Sequence, residues 1–504
     1  MGAATSAGAT QGTTPVPTGA IKHVIVIDLE NESYGTTFGS ASPAHYLNTT
    51  LLSEGELIQH YYSTGHVSLD NYISQVSGQA GNLTTDSDCV AAITNLTGSY
   101  LDMTPGTLDP NQSLYPGQVD GQGCVMPSSV QNIGTQLDSA YPSTTSSDWR
   151  EYAEDMGNDP SRDGGTTDST GGTDCAHPVQ TAGDGVDDTN NAQGPNATGT
   201  QVNSTTVDQY ANRHNPFVYF HSVIDDQALC DQDVVPLGTV KVGTPSTVDG
   251  TALPDTFSGH LASDLSSEVT TPRFSFITPN LCDDGHDATC AGMNTAGGTT
   301  GGLAGADTWL QHWMPLILAS PAYQSGNTLV LLTFDEGAIN DTTSGDNEQP
   351  GPNLSNPGYS PLLNTPIAAY GGETYYQLLG VTGLTPGTVP PAGTMSGGGQ
   401  VGAVVFNRDY IAPGSVDSTG NYNHYSALRT YEDLLGLNSG GTDGDGHIGF
   451  ASTATSFGTD VFNASPGANT PETPFIIALP LLAAGALTGV VLVRRRKARV
   501  ASAS

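Results

Sequence analysis

Four short apolar runs in this chain end in polar, ligand-forming residues. "KHVIVIDLEN" (22–31) ends in Glu30 and Asn31, and "NTLVLLTFDEG" (327–337) delivers Asp335 and Glu336. "RFSFITPN" (273–280) ends in Asn280, and "NPFVYFHSV" (215–223) carries a histidine near its end. Runs that are apolar throughout, rather than alternating, read as strands buried on both faces, the mark of a parallel sheet. In open α/β sheets, ligands bind outside the carboxyl ends of such strands. The four runs therefore predict one rim that gathers Glu30, Asn31, Asn280, Asp335 and Glu336.

Parallel strands need crossover segments, and helices fit between them. "ADTWLQHWMPLILASPAY" (306–323) has helical apolar spacing and precedes the fourth run. "NHYSALRTYEDLLGL" (423–437) places Tyr425, Leu428, Tyr431, Leu434 and Leu435 on one face and ends at Gly436, an amphipathic helix. Residues 80–200 and 338–400 show no such patterning. They are rich in Gly, Asp, Thr, Asn and Pro and read as long insertions at the loop end of the sheet. The expected fold is α/β, with a mostly parallel central sheet flanked by helices. Residues 1–19 read as a flexible leader, 20–450 as the main domain and 451–474 as a stalk.

Charge excludes one class of partner. The 504-residue chain carries a formal net charge of −37, and 5 of its 13 basic residues sit in "RRRKAR" near the C-terminus. Nucleic-acid binding needs Lys and Arg to displace counterions, so DNA and RNA are not expected partners. The basic cluster follows "FIIALPLLAAGALTGVVLV" (475–493), which has no charged residue. Nineteen helical residues span roughly the ~30 Å of a bilayer core. The positive flank marks the cytoplasmic side, so 494–504 is expected inside and residues 1–474 outside, at the cell surface. "MGAATSAGATQGTTPVPTG" has no apolar signal core, so the export signal is expected to have been removed or to lie outside this sequence. The six cysteines, Cys89, Cys124, Cys175, Cys230, Cys282 and Cys290, contain no C-x-x-C pair. Disulfides in an exported domain are the expectation. Cys282 and Cys290 are close enough to close a small loop; the other pairings stay open.

The polar groups at strand ends form a plausible chemical set. Hard oxygen donors with a few imidazoles suit a divalent metal ion. Adjacent Asp335 and Glu336 repel at a buried rim unless a cation sits there. "HVSLDNYISQVSG" (66–78) puts Ser68 at the start of a helical segment, as an N-cap or as a nucleophile facing backbone N–H groups that receive phosphate. "CDDGHD" (282–287) reads as a disulfide-bounded turn or a metal-binding loop, and His424 as a cap or a ligand.

Taken in order, these segments resemble the phosphoesterase family of bacterial phospholipases C and acid phosphatases, a branch of the alkaline-phosphatase-like superfamily. "IKHVIVIDLENESYGTTFG" is similar to its opening segment and "SLDNYISQVSG" to its Ser/Thr-x-Pro-Asn nucleophile segment. "LVLLTFDEG" is similar to its acid-pair segment and "YNHYSALRTYEDLLGL" to its closing helix. The resemblance covers roughly residues 20–437. It implies an alkaline-phosphatase-like fold and a phosphoester hydrolase with one or two divalent metal ions. It implies Ser68 as nucleophile through a phospho-enzyme and Asn71 as a phosphate-binding amide. Glu30, Asn31, Asp335, Glu336 and the late histidine His424 are implied at the metal. "TPNLCDDGHD" resembles the segment that supplies an acid and a histidine, which points to His286 with Asp284 or Asn280. His66 and His214 are weaker candidates for leaving-group protonation or phosphate contact. Asp70 stands where the family has Pro, and no His follows the acid pair. The expected substrate is a phosphate monoester. A lipid phosphodiester, or a non-catalytic binding role on the same scaffold, are the alternatives.

Overall fold

The structure is a computed structural model. It describes residues 14–65, 68–82, 84–85, 88–89, 100–109, 112, 116–142, 147–158, 166–167, 173–177, 209–243, 254–286, 290, 292–338 and 398–465. Eight strands form the central sheet: β1 His23–Leu29, β2 Glu56–Ile58, β3 Trp149–Ala153, β4 Val234–Pro236, β5 Phe274–Thr278, β6 Thr328–Phe334, β7 Ala403–Phe406 and β8 Ser415–Asp417. Their spatial order is β8-β2-β7-β6-β1-β5-β3-β4. The block β6-β1-β5-β3-β4 is parallel, as the uninterrupted apolar runs require. β7 is antiparallel to both neighbours. The fold is thus α/β with a mostly parallel sheet.

Three of the four sequence runs are the three central strands. The fourth is not a strand. Pro216 opens a 3-10 turn over Pro216–Tyr219, followed by a short helix His221–Ile224. Proline supplies the fixed φ of a first helical position and withholds the N–H that a central strand needs. Phe217 and Phe220 are fully buried all the same, so the run serves as core rather than ladder. The missing strand is β3, inside the stretch 80–200 that reads as an insertion. Trp149 and Tyr152 are fully buried there, and β3 pairs with β5 from Trp149↔Phe274 to Ala153↔Thr278.

Three helices matter for the site: α1 Ser68–Ser77, α2 Gly302–Ala319 and α3 His424–Leu435. α2 is the crossover between β5 and β6. It buries Leu303, Ala306, Trp309, Leu310, Trp313 and Ile317, a stripe at helical spacing. In α3, Asn423 caps the start by accepting from Ser426 N–H at 3.0 Å. Gly436, at φ 71°, takes the left-handed turn that ends it.

Residues 451–465, expected as the start of a stalk, pack back onto the domain. Phe457, Val461 and Phe462 are buried, because these apolar side chains gain more from the core than from solvent. Val16, from the expected leader, is also buried. The expected membrane segment 475–493 and its basic tail lie outside the described residues. Among the described residues, no helix is long and apolar enough to cross a membrane. All six cysteines pair: Cys89–Cys124, Cys175–Cys230 and Cys282–Cys290. That usage belongs to an oxidising compartment.

A histidine fastens the segment after α3. His447 Nδ1 lies 2.6 Å from Asp443 Oδ2 and Nε2 lies 3.0 Å from Asp433 Oδ1. Burial works against its charge, but Asp433, Glu432 and Asp443 together raise its pKa above the ordinary 6.5, with Arg429 opposing. Asp433 and Asp443 are held below the ordinary 3.8, against their own burial, chiefly by hydrogen bonds that include those from His447. The histidine contribution is complete below its unfolded pKa and is lost as pH rises through the folded value. The aspartate contribution is complete above 3.8 and is lost as pH falls through the lowered values. Thermal stability should therefore be greatest in mild acid. His447→Gln should cost about 2 kcal/mol there and less in alkali, a difference visible in Tm against pH. Equal loss at every pH would contradict the arrangement.

Candidate active site

The register of the parallel strands builds the site. β1 and β6 pair from His23↔Thr328 to Leu29↔Phe334, so the next residues, Glu30 and Asp335, emerge side by side at the carboxyl edge. Asn31 then turns left-handed at φ 51° and sends its N–H to Asp335 Oδ1 at 2.9 Å. Glu336 N–H reaches the same oxygen at 2.5 Å. On the other side, Asp284 O accepts from Glu30 N–H at 2.8 Å. Gly285 makes that approach possible: a Cβ there would stand 3.1 Å from Glu30 O, and its φ of 113° suits only glycine.

Ser68, the first residue of α1, meets this edge. Its Oγ donates to Glu30 Oε2 at 2.9 Å, and the amide of Asn31 donates to the same oxygen at 2.8 Å. His214 Nε2 stands 3.2 Å from Glu30 Oε1, and its Nδ1 3.8 Å from Asp284 Oδ2. The His214 ring lies parallel to Tyr72 of α1, with centroids 5.1 Å apart. Glu30, Ser68, Asp284, His214 and Asp335 are all buried, whereas His286 is exposed at the rim. The His286 N–H caps Asp284 Oδ1 at 2.9 Å.

Several candidates take supporting positions. The Asn71 carbonyl accepts from Thr64 N–H at 3.0 Å and Gly65 N–H at 2.9 Å, and its amide donates to Gly65 O at 3.0 Å. It braces the loop that leads into α1. His424 Nε2 lies 2.7 Å from the backbone carbonyl of Asp335, and Nδ1 lies 3.2 Å from the Tyr61 hydroxyl. With both ring nitrogens engaged, His424 sits behind the acid pair in this arrangement and holds its backbone. Asn280 faces Glu154 and Asp155 instead, at 3.1 and 3.0 Å. His66 lies outside the described residues.

The electrostatics are frustrated. Burial, aided by nearby carboxylates, pushes Asp335 well above the ordinary carboxylate range; Glu30, Glu336 and Asp28 are the neighbours. Burial pushes Glu30 up to about 7, against the pull of His286 and Arg213. Burial also drives His214 well below its ordinary value, with Arg213 and His286 adding to the effect. Among the described residues, Asp335 Oδ2 is buried without a hydrogen-bond partner, and Glu30 Oε1 has the His214 ring 3.2 Å away but not in hydrogen-bonding geometry. Adjacent buried carboxylates with orphaned oxygens fit a hard divalent cation in donor type and in charge. No three His, Cys, Asp or Glu side chains among the described residues form a ready metal cage.

Three neighbours of the site escaped the sequence reading. Asp28 in β1 accepts from Gln75 of α1 at 2.6 Å and tethers the helix to the strand. Asp88 accepts from Leu69 N–H at 3.0 Å. Arg213 Nε approaches Asp88 Oδ2 at 3.5 Å. The available signal was "NRHNPF", where a basic residue adjoins a candidate histidine in a chain poor in basic residues.

Fold and site together define an α/β protein with a serine hydroxyl held among buried carboxylates at the carboxyl edge of its sheet. Comparison with known proteins adds acid phosphatases as relatives. A probable acid phosphatase from Kluyveromyces lactis is 22% identical over 317 residues, covering 63% of this chain and 48% of that protein. A phosphate-repressible acid phosphatase from Penicillium chrysogenum is 29% identical over 129 residues, 26% of this chain and 22% of that protein. The matches span half or less of the length of these relatives. No family model matches the chain. Among solved structures, a protein in the alkaline phosphatase superfamily from Vibrio parahaemolyticus is similar at TM-score 0.38 and 11% identity, over 85% of this chain and 69% of that one. Alkaline phosphatase PafA is similar at TM-score 0.35 and 12% identity, over 89% and 100%.

Proposed function

We propose that this protein is a metal-dependent phosphomonoesterase that works through a phosphoserine at Ser68. The observation that carries the reading is the Ser68 Oγ contact with Glu30 Oε2, 2.9 Å long, at the start of a helix and beside Asp335. Glu30 orients the hydroxyl so that a lone pair faces the incoming phosphorus. Ser68 Oγ attacks, its proton passes to Glu30, and the bond to the leaving alcohol breaks. In this reading His286, which is exposed at the rim, gives that alcohol its proton. In the second half, water gives a proton back to His286 and attacks the phosphoserine, whose oxygen recovers a proton from Glu30. Leu69 N–H is taken by Asp88 Oδ1, so any help from the N-terminus of α1 to the anionic phosphoryl oxygens comes from its other first-turn amides.

A divalent cation would be held by Glu30 and Asp335, with Asn31 and Glu336 beside them. When bound, it would make the serine hydroxyl more acidic and offset charge on the phosphoryl oxygens. The acid phosphatase relatives favour a monoester over a lipid diester. Acid quenching during turnover of p-nitrophenyl phosphate should trap one phosphate on the peptide that contains Ser68. A phosphate found on another residue, or none during active turnover, would rule the mechanism out.

The disulfides support an exported domain. The uncharged segment 475–493 followed by "RRRKAR" supports retention at the cell surface. A chain truncated after 465 should appear in the medium; a full-length chain equally soluble in the medium would contradict the anchor.

A further inference from the structure

The edge strand of the sheet ends in a second group of acids. Asp417 closes β8, three strands from β6 and so away from the rim that holds Glu30 and Asp335. Its Oδ1 is fully used: Thr419 N–H, the Thr419 hydroxyl and Gly420 N–H donate to it at 2.8, 2.9 and 3.0 Å. Its Oδ2 has no partner, although the residue is only 3% exposed. That orphaned oxygen meets Asp460, which comes from the end of the described chain. A Cβ at Gly420 would stand 2.6 Å from Asp417 Oδ2 and 2.6 Å from Asp460 Oδ2, so the two oxygens converge to within twice that distance of each other. The Tyr422 hydroxyl lies 2.9 Å from Asp460 Oδ1 and 3.1 Å from Oδ2, and Val461 N–H reaches Oδ1 at 3.2 Å. One phenolic proton does not neutralise two carboxylates. Glu56 of β2, in register with Ser415 of β8, adds a third acid. Burial pushes it up to about 7, with Asp417 and Asp460 adding to the rise and hydrogen bonds from Ser415 and Asn463 opposing it. No Lys or Arg among the described residues forms an ion pair with any of the three.

We propose that Asp417 and Asp460 bind a calcium ion, and that the ion clasps the segment 457–464 to the edge of the sheet. Calcium takes oxygen ligands at roughly 2.3–2.6 Å and tolerates irregular geometry, so two carboxylate oxygens that already converge can share one ion. Water completes the shell, because Asp460 is half-buried and open on one side. Zinc prefers nitrogen and sulfur ligands, and this group supplies oxygen. The segment is otherwise held by Asn463, whose amide donates to Glu56 Oε2 at 2.6 Å and whose carbonyl accepts from Ala412 N–H at 2.8 Å. Two carboxylates and water make a weak site of the extracellular kind, with a Kd of about 10⁻⁴–10⁻³ M. It fills where calcium is plentiful, as outside a cell, and stays empty in calcium-free buffer. The inference is independent of the phosphoesterase reading.

The test uses the full chain, stripped of metal and carrying Asp335→Asn to silence the rim, titrated with calcium chloride at neutral pH. Calorimetry should find one ion with the Kd given above, and about 10 mM calcium should raise the Tm by about 2–5 °C. Asn at 417 keeps the oxygen that Thr419 and Gly420 need, and Asn at 460 keeps an acceptor for Tyr422. Asp417→Asn and Asp460→Asn should each weaken calcium binding about tenfold or more and cancel the rise in Tm. The two variants lie on different segments, so either one, folded, decides the matter. Absence of any calcium-dependent rise, or a rise kept in full by a folded Asp417→Asn or Asp460→Asn protein, would overturn the proposal. Hydrolysis is not the readout, so the result stands whether or not Ser68 is a nucleophile.

Discussion

Ser68→Ala should leave a folded protein that hydrolyses p-nitrophenyl phosphate at least about a thousandfold more slowly than wild type. The substitution removes one oxygen and nothing else. That oxygen donates to Glu30 Oε2, and the Asn31 amide still donates to the same atom, so Glu30 keeps a partner. The stability cost is accordingly small, about 1 kcal/mol, because one hydrogen bond is lost without orphaning the carboxylate. The catalytic cost is large because the variant lacks the oxygen that would carry the phosphoryl group. Acid quenching should trap no phosphate on the variant. Retention of a tenth of wild-type turnover, or an undiminished phosphate trap, would remove Ser68 from the mechanism.

Asp335→Asn should move activity and stability in opposite directions. Asparagine keeps the oxygen that accepts from Asn31 and Glu336 N–H, so the turn after β6 survives. It removes a buried charge that repels Glu30 and Glu336. A carboxylate raised by burial costs stability as pH rises from its unfolded value towards its folded one, unless a cation compensates. The metal-stripped variant should therefore be more stable at neutral pH than metal-stripped wild type, by about 1–3 kcal/mol, and no more stable in strong acid. Divalent metal affinity should fall about 10- to 100-fold or more, and turnover with it. Chelation should lower the Tm of wild type at neutral pH and barely affect the variant. If chelation alters neither the Tm nor the activity of wild type, the cation reading is withdrawn.

Much of the scaffold was legible because strand and helix signals are local. The runs at 22–31, 273–280 and 327–337 are too apolar for any element with an exposed face, and they became adjacent central strands. The spacing in 306–323 and 423–437 is helical, and both segments are helices, with Gly436 ending the second. The run at 215–223 misled because its composition matches a strand, while Pro216 after Asn215 sets a turn. β3 went unread because it lies in a polar stretch and is recognisable mainly through its neighbour β5.

The site divides in the same way. Sequence by itself determined the residue types at the ends of β1 and β6, the serine at the start of a helical segment, and the excess of acid around them. Tertiary structure alone decided which of them meet. Strand register set Glu30 beside Asp335, and helix docking brought Ser68 to Glu30. The same packing turned Asn71 and His424 to support and drew in Asp88 and Arg213. The physical reason is that propensity and periodicity act over a few neighbouring residues. Contacts between positions 30, 68, 213 and 335 depend on how the strands pair and how the helices lie across them, which no short stretch of chain encodes.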